Sequence, residues 1–394
     1  MSATTEPPGG GLSAAATAEE HALAGFRDSA QLPGRTIARW TGWFGFVTGA
    51  FSRSHRNLEV WRYRRSVPVT DAPIQCAVCG ADRGALRRLT PLGTSRDLES
   101  LGDFRVVLCT NCAVARTTPV PGPDALVIEP DVATPMSGLI RRTLLRRFIG
   151  QRVRRVRSLV SATGRPRVID VGGGACGFAN ALAATGCDVT VFEPNGDNAV
   201  HAGRDVRFIP TAFDESGVAV AGLTDGCADA VTMWHSLEHV HDPAATLALA
   251  RRLLRPGGSI HVCVPNLDSL QADLFAEWWC YLDVPHHLSH FSPEGLARAL
   301  HRAGFGGLRP VWWNEEYEVF GFYQSLLNSL TRSHNYYYNR VKKGRGSDAG
   351  PVPAWTRVAT ALGPLLLPIA MCCSWWGAAL AKPACAEISG VAER

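Results

Sequence analysis

At 394 residues the chain has room for a catalytic domain and an accessory module. Hydrophobic residues make up 46% and charged residues 19%, which argues against a wholly disordered chain and against a polytopic membrane protein. The net charge of +5, from 40 basic against 35 acidic residues, matters only where it is clustered.

In chain order, residues 1–35 read as a flexible leader, because Ala, Gly, Glu and Pro offer little apolar surface to offset ordering entropy. No basic stretch followed by an apolar core marks a secretion signal, so the 12 cysteines are expected as thiols in a reducing cytoplasm. Residues 36–71 form an amphipathic segment: Trp40, Trp43, Phe44, Phe46 and Phe51 follow Arg35 and Arg39. It reads as a helix packed on the main body, with an interfacial helix as the alternative.

Residues 72–122 turn to Cys, Gly, Arg and Pro. Cys76-x-x-Cys79 and Cys109-x-x-Cys112 are two knuckles whose spacing lets four thiolates surround one tetrahedral zinc. With all four positions filled by cysteine, the ion is structural, and it supplies folding energy that a small core lacks. A helix follows between Gly138 and Val160, its apolar stripe backed by Arg141, Arg142, Arg146, Arg147, Arg152, Arg154, Arg155 and Arg157. That face carries no acid of its own, so a solvated face, a phosphate-bearing substrate or an anionic lipid surface are its alternative uses.

From Pro166 strands and helices alternate, which predicts βαβ units and a mostly parallel sheet. Strands are expected at 167–171, 188–193, 206–209, 228–234, 259–264 and 308–313. Helices are expected at 178–185, 243–254 and 292–303, the last capped by Ser292 with Pro293 in its first turn. Gly172-Gly173-Gly174-Ala-Cys176-Gly177 lies between the first strand and its helix, the context a nucleotide-binding loop requires. Glu193 ends the second strand, where an acid can accept from both ribose hydroxyls. Loop and acid would also suit an NAD(P)-dependent oxidoreductase. Asp170, just before the glycines, instead suits a cofactor with an ammonium and a sulfonium, since a carboxylate there would repel a diphosphate.

Farther on stand Asp229-Ala-Val-Thr-Met233-Trp234-His235-Ser-Leu-Glu238-His239, Leu254-Arg-Pro256-Gly257-Gly258, Asp283-Val-Pro285-His286-His287 and Phe291-Ser-Pro293. With the glycine loop they resemble the class I S-adenosylmethionine-dependent methyltransferases, in particular a ubiquinone-type O-methyltransferase-like subgroup with an N-terminal zinc ribbon. The resemblance runs from Cys76 to about Phe305. It implies a Rossmann-like seven-stranded α/β core at 136–320, preceded by the ribbon. By the same likeness Asp170, Gly172 and Gly174 would line the methionine part of the cofactor, Glu193 the ribose, and Met233 and Trp234 its far side. The sequence departs from the family at Cys176, where a third glycine is usual, which puts the loop's detailed conformation in question.

His235, Glu238 and His239, with His286, His287 and His290, are the densest titratable cluster. His239 or His287 would serve as a general base toward an acceptor hydroxyl. Alternatively, the set at His235, Glu238 and His239 binds a divalent metal, as the Glu-x-x-Glu-His motif of some methyltransferases does, though His235 replaces its first acid. A third reading has them only shape the pocket.

The run from Val358 to Ala381 has no charge, and Pro364 and Pro368 divide it into two short segments. In the resembled fold the last strand lies inside the sheet, so 383–394 becomes that strand and 321–382 an insertion carrying an apolar hairpin. The hairpin is expected to pack on the body, with a peripheral contact of 356–382 at the inner face of a membrane as the alternative. No basic stripe points to nucleic acid. The expected acceptor is a small molecule, free or lipid-carried, and a non-catalytic cofactor-binding scaffold is the competing reading from another class.

Overall fold

The computed structural model describes residues 67–68, 76–81, 86–89, 104–122, 139–160, 164–332, 335, 357 and 362–393. The leader at 1–35, and the 36–71 segment apart from 67–68, lie outside them.

After helix α1 (Leu139–Leu159), strand and helix alternate: β5 (Arg167–Val171), α2 (Gly177–Ala183), β6 (Asp188–Phe192), β7 (Val206–Ile209), α3 (Glu215–Ala221), β8 (Ala228–Trp234), α4 (Pro243–Leu253) and β9 (Leu254–Pro265). These strands pair in parallel, as β-strands joined by helical crossovers must. Along β5, Val168 enters the core beneath α1 and α2, with Val156, Phe178 and Leu182, while Ile169 enters the opposite core, with Leu247 and Leu253 of α4. Helices therefore cover both faces, which is why the strands read as near-continuous apolar runs rather than alternating ones. Each fully buried leucine, such as Leu182 or Leu253, contributes roughly 2 kcal/mol of burial.

The sheet closes with β11 (Phe305–Val311) and β12 (Cys385–Ala392), giving the order β11-β12-β9-β8-β5-β6-β7. It is the expected Rossmann-like, mostly parallel seven-stranded sheet, with β12 antiparallel to both its neighbours. The antiparallel direction matters for function: it puts the first residue of β12, Cys385, at the same edge as the carboxyl end of β9, opposite Pro265. Glu387 of β12 is buried, and three partners offset the cost of its charge. Arg155 of α1 pairs with it, the Asn314 amide donates to it at 3.0 Å, and His261 Nε2 lies 3.1 Å away.

The arginine face of α1 is not without acids, as its own sequence suggested. Arg147 and Arg152 meet Glu315 and Glu316, at 2.9 and 2.6 Å, in the first turn of α7 (Glu315–Thr331). Those acids are more than 160 positions away, beyond the reach of any local reading of charge. Arg146 and Arg154 stay exposed.

A second, antiparallel sheet has the order β1 (Val67–Pro68), β2 (Leu86–Leu89), β3 (Arg105–Cys109), β4 (Val114–Thr118), β10 (Ser289–Phe291). Strands β2–β4 belong to the cysteine segment and β1 to the segment before it, but β10 lies within the expected core domain. Helix α5 (Leu270–Phe275) leads toward β10, and α6 (Pro293–Arg302) follows it, capped by Ser292, whose hydroxyl accepts from Gly295 N at 2.9 Å. In the apolar run, a turn at Gly363–Leu366 precedes α8 (Leu367–Ala379), with Pro368 in its first turn. Ala370, Ser374 and Gly377 of α8 are buried, while Leu367, Ile369, Met371 and Trp375 are exposed. No helix among the described residues is long and apolar enough to cross a membrane.

Candidate active site

The glycine turn after β5 is built by close approach. Gly172 has φ +75° and a Cβ there would lie 2.6 Å from Ser236 Cβ; at Gly173 it would meet Val191 Cγ1 at 2.5 Å. Beside Gly174, in contrast, a Cβ would meet nothing within 4 Å, so the loop backbone opens onto free space there. Cys176, the departure from the family, takes φ 57° and ψ 14° at the head of α2. That is the left-handed region glycine favours, so a buried cysteine stands here in a glycine-type conformation, at a cost of roughly 1–2 kcal/mol.

Two acids frame the loop. Asp170 is buried and accepts from Thr232 Oγ1 at 2.7 Å. Burial raises its pKa to about 6, against the opposing pull of the Thr232 hydroxyl and Arg152. Glu193, also buried, accepts from Gly174 N at 2.9 Å and from Asn195 N at 3.0 Å, one bond on each oxygen. It thus latches the glycine loop to the end of β6, and each oxygen keeps a lone pair for a ligand hydroxyl. Met233 and Trp234 sit in the packed layers on opposite faces of β8. Trp234 lies against Phe178, with Arg152 over its ring at 5.1 Å.

The histidine cluster divides into two groups. Glu238, His239 and His287 bring their ligand-type atoms within 4.8 Å of one another, and the two imidazoles meet edge to face at 4.7 Å. His239 Nδ1 is 3.1 Å from His286 O and His287 Nδ1 is 2.8 Å from Tyr281 O. Each Nδ1 is therefore the protonated nitrogen, which leaves each Nε2 with its lone pair. Burial and the neighbouring His239 lower the His287 pKa to about 4. His290 is pushed to about 3 by burial, His287 and Arg116.

His235 does not join that trio toward a shared metal. Its Nδ1 meets Glu238 Oε1 at 3.1 Å, and its Nε2 turns toward two thiols, Cys263 and Cys385. The sequence reading missed both: Cys263 is one small apolar residue in an apolar strand, and Cys385 is 150 positions from His235. His286 lies at the rim, its Nδ1 3.5 Å from Asp283.

The four cysteines converge. Cys76 and Cys112 Sγ are 3.8 Å apart, Cys79 and Cys109 Sγ 3.7 Å, and all four lie within 4.8 Å of one another. Thiolates about 2.3 Å from a tetrahedral ion stand about 3.8 Å apart, so the cage fits zinc. The knuckles match: Gly80 N bonds Cys76 O at 2.8 Å and Ala113 N bonds Cys109 O at 2.9 Å, with φ +68° and 57°. Ala113 is the unrecognised counterpart of Gly80.

This cysteine unit also grips the histidine edge. Thr117 donates to His287 O at 2.6 Å, and its oxygen is 3.0 Å from His290 Nε2. Arg116 bonds Ser289 Oγ at 2.6 Å and His241 O at 2.8 Å. None of these links has a local sequence signature.

Residues 141–308 match the family model described as a methyltransferase domain. Over 151 residues the chain is 31% identical to the ubiquinone biosynthesis O-methyltransferase of Aromatoleum aromaticum, covering 35% of this chain and 63% of that protein. Over 128 residues it is 34% identical to the protein of the same name from Methylococcus capsulatus, covering 32% of this chain and 53% of that one. The chain thus spans less than two thirds of the length of either relative. A crystal structure of a SAM-dependent methyltransferase from Archaeoglobus fulgidus is 20% identical, with a TM-score of 0.39, over 63% of this chain and 94% of that one.

Proposed function

We propose that the chain, whose residues 141–308 match a methyltransferase domain, is a class I S-adenosylmethionine-dependent methyltransferase that methylates a hydroxyl of a small-molecule or lipid-carried acceptor, with His239 as base. The observation that supports this most is a juxtaposition. A glycine loop latched by Glu193 beside Asp170 packs through Gly172 on Ser236, in the turn that leads to His239, one of two paired imidazoles that keep Nε2 as an acceptor.

Bound S-adenosylmethionine supplies a methyl group on a cationic sulfur, so displacement needs alignment more than activation. Asp170 offsets the positive charge of the ligand, Glu193 takes its ribose hydroxyls, and the open side of Gly174 admits it. His287, lowered to about 4, is neutral at ordinary pH but a weak base. His239 is the more accessible of the pair and takes the acceptor's proton, while His287 holds its ring in place. The ribbon cysteines hold one structural zinc, whose part is to carry β4 and, through it, the 286–290 loop. The exposed apolar side chains of α8 favour a lipid-carried acceptor at a membrane surface, and flotation with anionic liposomes should be lost on deleting 356–382.

Calorimetry should detect S-adenosylmethionine and its demethylated product but not NADH; heat from NADH alone would refute the cofactor assignment. In an acceptor screen with a labelled methyl donor, His239→Gln should lower turnover on the best hydroxyl substrate roughly 100-fold or more at unchanged cofactor affinity. Full turnover in that variant removes the base role.

A further inference from the structure

The function proposed above makes no use of the two thiols at the carboxyl edge of the sheet. His235 Nε2 is 3.6 Å from Cys263 Sγ and 3.7 Å from Cys385 Sγ, and the three atoms lie within 4.8 Å of one another. A tetrahedral zinc with sulfur at about 2.3 Å and imidazole nitrogen at about 2.0–2.1 Å has ligand edges of about 3.6–3.8 Å. The same edges separate the ribbon thiols, at 3.7 and 3.8 Å. We propose that His235, Cys263 and Cys385 form a second metal site, an open one, which takes zinc with the oxygen of the acceptor as fourth ligand.

Three further features support this. First, His235 is oriented as a metal ligand is. Its Nδ1 meets the buried Glu238 carboxylate at 3.1 Å, which assigns the proton to Nδ1 and aims the Nε2 lone pair at the thiols. Second, the backbone is bent to put it there: His235 has φ 52° immediately after β8, and its N–H bonds Cys263 O at 2.8 Å. A non-glycine residue held in that region by its surroundings marks a position where geometry outweighs strain. Third, the two sulfurs are closed off and the histidine is not. Cys263 and Cys385 are buried, whereas the His235 side chain keeps 18% exposure beside the Tyr317 ring, 4.0 Å away. Three protein ligands leave a tetrahedral zinc one vertex for a further ligand, as in a catalytic zinc, in contrast to the closed four-cysteine cage.

The topology explains why such a site arises here. β8, β9 and β12 are adjacent, and the reversed direction of β12 brings its first residue to the edge where β8 and β9 end. The two thiols lose their protons on binding, which leaves a neutral zinc–dithiolate unit. A hydroxyl bound to it ionises more readily. Its O–H proton passes to the neighbouring base, the oxygen–methyl bond forms, and the carbon–sulfur bond of the sulfonium breaks to leave the neutral thioether. This role rests on the methyl-transfer reading; the presence of the ion does not.

The test is the zinc content of the full-length protein, purified without chelator, alongside calorimetry with S-adenosylmethionine. Two zinc ions per chain are expected, falling to one in Cys263→Ser, Cys385→Ser and His235→Gln, with cofactor binding kept in at least one of these variants. Cobalt replacing the second ion should show thiolate-to-cobalt charge transfer that is lost in His235→Gln and in Cys263→Ser. One zinc per chain in the unaltered protein, even after adding zinc, overturns the proposal without recourse to any variant. So does a Cys263–Cys385 disulfide beside a single zinc. So does a second ion that survives Cys263→Ser and Cys385→Ser but is lost in His287→Asn, which would put it on Glu238, His239 and His287. If cofactor binding fails while two ions are counted, the methyltransferase reading falls and the metal site stands.

Discussion

The proposed cofactor side of the site comes from one βαβ unit, with Asp170, the glycine turn, Glu193 and Asn195 all between Arg167 and Asn195. The proposed acceptor side is drawn from β4, the turn after β8, the 281–291 segment, α7 and the first residue of β12. A unit that binds a shared cofactor can be local, because its ligand is the same throughout a family. A surface that selects an acceptor is assembled across the chain, where loops and an accessory module can vary without disturbing the sheet.

The largest effect that would sharpen this contrast is expected at the ribbon. Cys109→Ser or Cys112→Ser should open the proposed zinc cage and loosen β4, which pairs with β10. Methyl transfer should fall by roughly 100-fold or more, the scale of a displacement of about 1 Å at the reacting groups. Affinity for S-adenosylmethionine should hold within about threefold. Equal losses in both would mean that the two sides are one cooperative unit.

The second effect is the response to acid, in which the two sides oppose each other. His287 and His290, near 4 and 3, resist protonation in the folded state, against an ordinary value of about 6.5. Their stabilisation is full above pH 6.5 and is lost as pH falls through the window from there toward 4 and 3. Asp170, raised to about 6, holds its proton more tightly when folded and so adds stability as pH falls below 6. Between pH 7.5 and 5.5 the two histidines should cost about 2–3 kcal/mol, read by urea unfolding as the difference from a variant lacking both, because Asp170 and Glu318, whose carboxyl burial raises to about 8, pull the other way. His290→Gln should remove about half of the histidine share, and Asp170→Asn should steepen the loss. A pH profile that His287→Gln and His290→Gln leave unchanged would refute the buried neutral histidines.

Third in size is the cofactor charge pair. Asp170→Asn should weaken S-adenosylmethionine binding about 10- to 100-fold, as loss of a charge-assisted contact does. In the unaltered protein, affinity should fall up to about tenfold per pH unit below pH 6, as Asp170 protonates, and the variant should lose that dependence. An unchanged affinity at pH 7.5 would remove Asp170 from the ligand's surroundings.

The same contrast accounts for what could be read from the sequence. The strand–helix alternation, the Ser292 cap and the glycine turn are local patterns, and each element of the sheet falls within a few residues of its expected place. Even the left-handed Cys176 lies where a glycine would be looked for. The partners of the α1 arginines, Glu315, Glu316 and Glu387, were not legible, because ion pairs across the fold leave no periodicity. Nor were the turn of His235 toward Cys263 and Cys385, or the capture of β10 by the cysteine unit. Histidines clustered in sequence looked like one site; backbone direction at a single residue, His235, divides them into two groups.

The smallest predicted effect isolates the link between the ribbon and the histidines without touching the metal cage. A hydroxyl has one proton, so Thr117 donates to His287 O and must accept from His290 Nε2, which fixes the tautomer of His290 as well as the height of the 286–290 loop. Thr117→Val keeps the volume and removes both bonds, leaving a buried carbonyl and a ring N–H unpaired. Stability should drop by about 1–2 kcal/mol, and turnover by roughly fivefold as His287 loosens against His239, with cofactor affinity unchanged. Thr117→Ser, which restores the hydroxyl but not the methyl, should recover most of the turnover. Recovery of stability without recovery of turnover would mean that the ribbon merely braces the fold, and that the histidine pair is positioned from the β8 side alone.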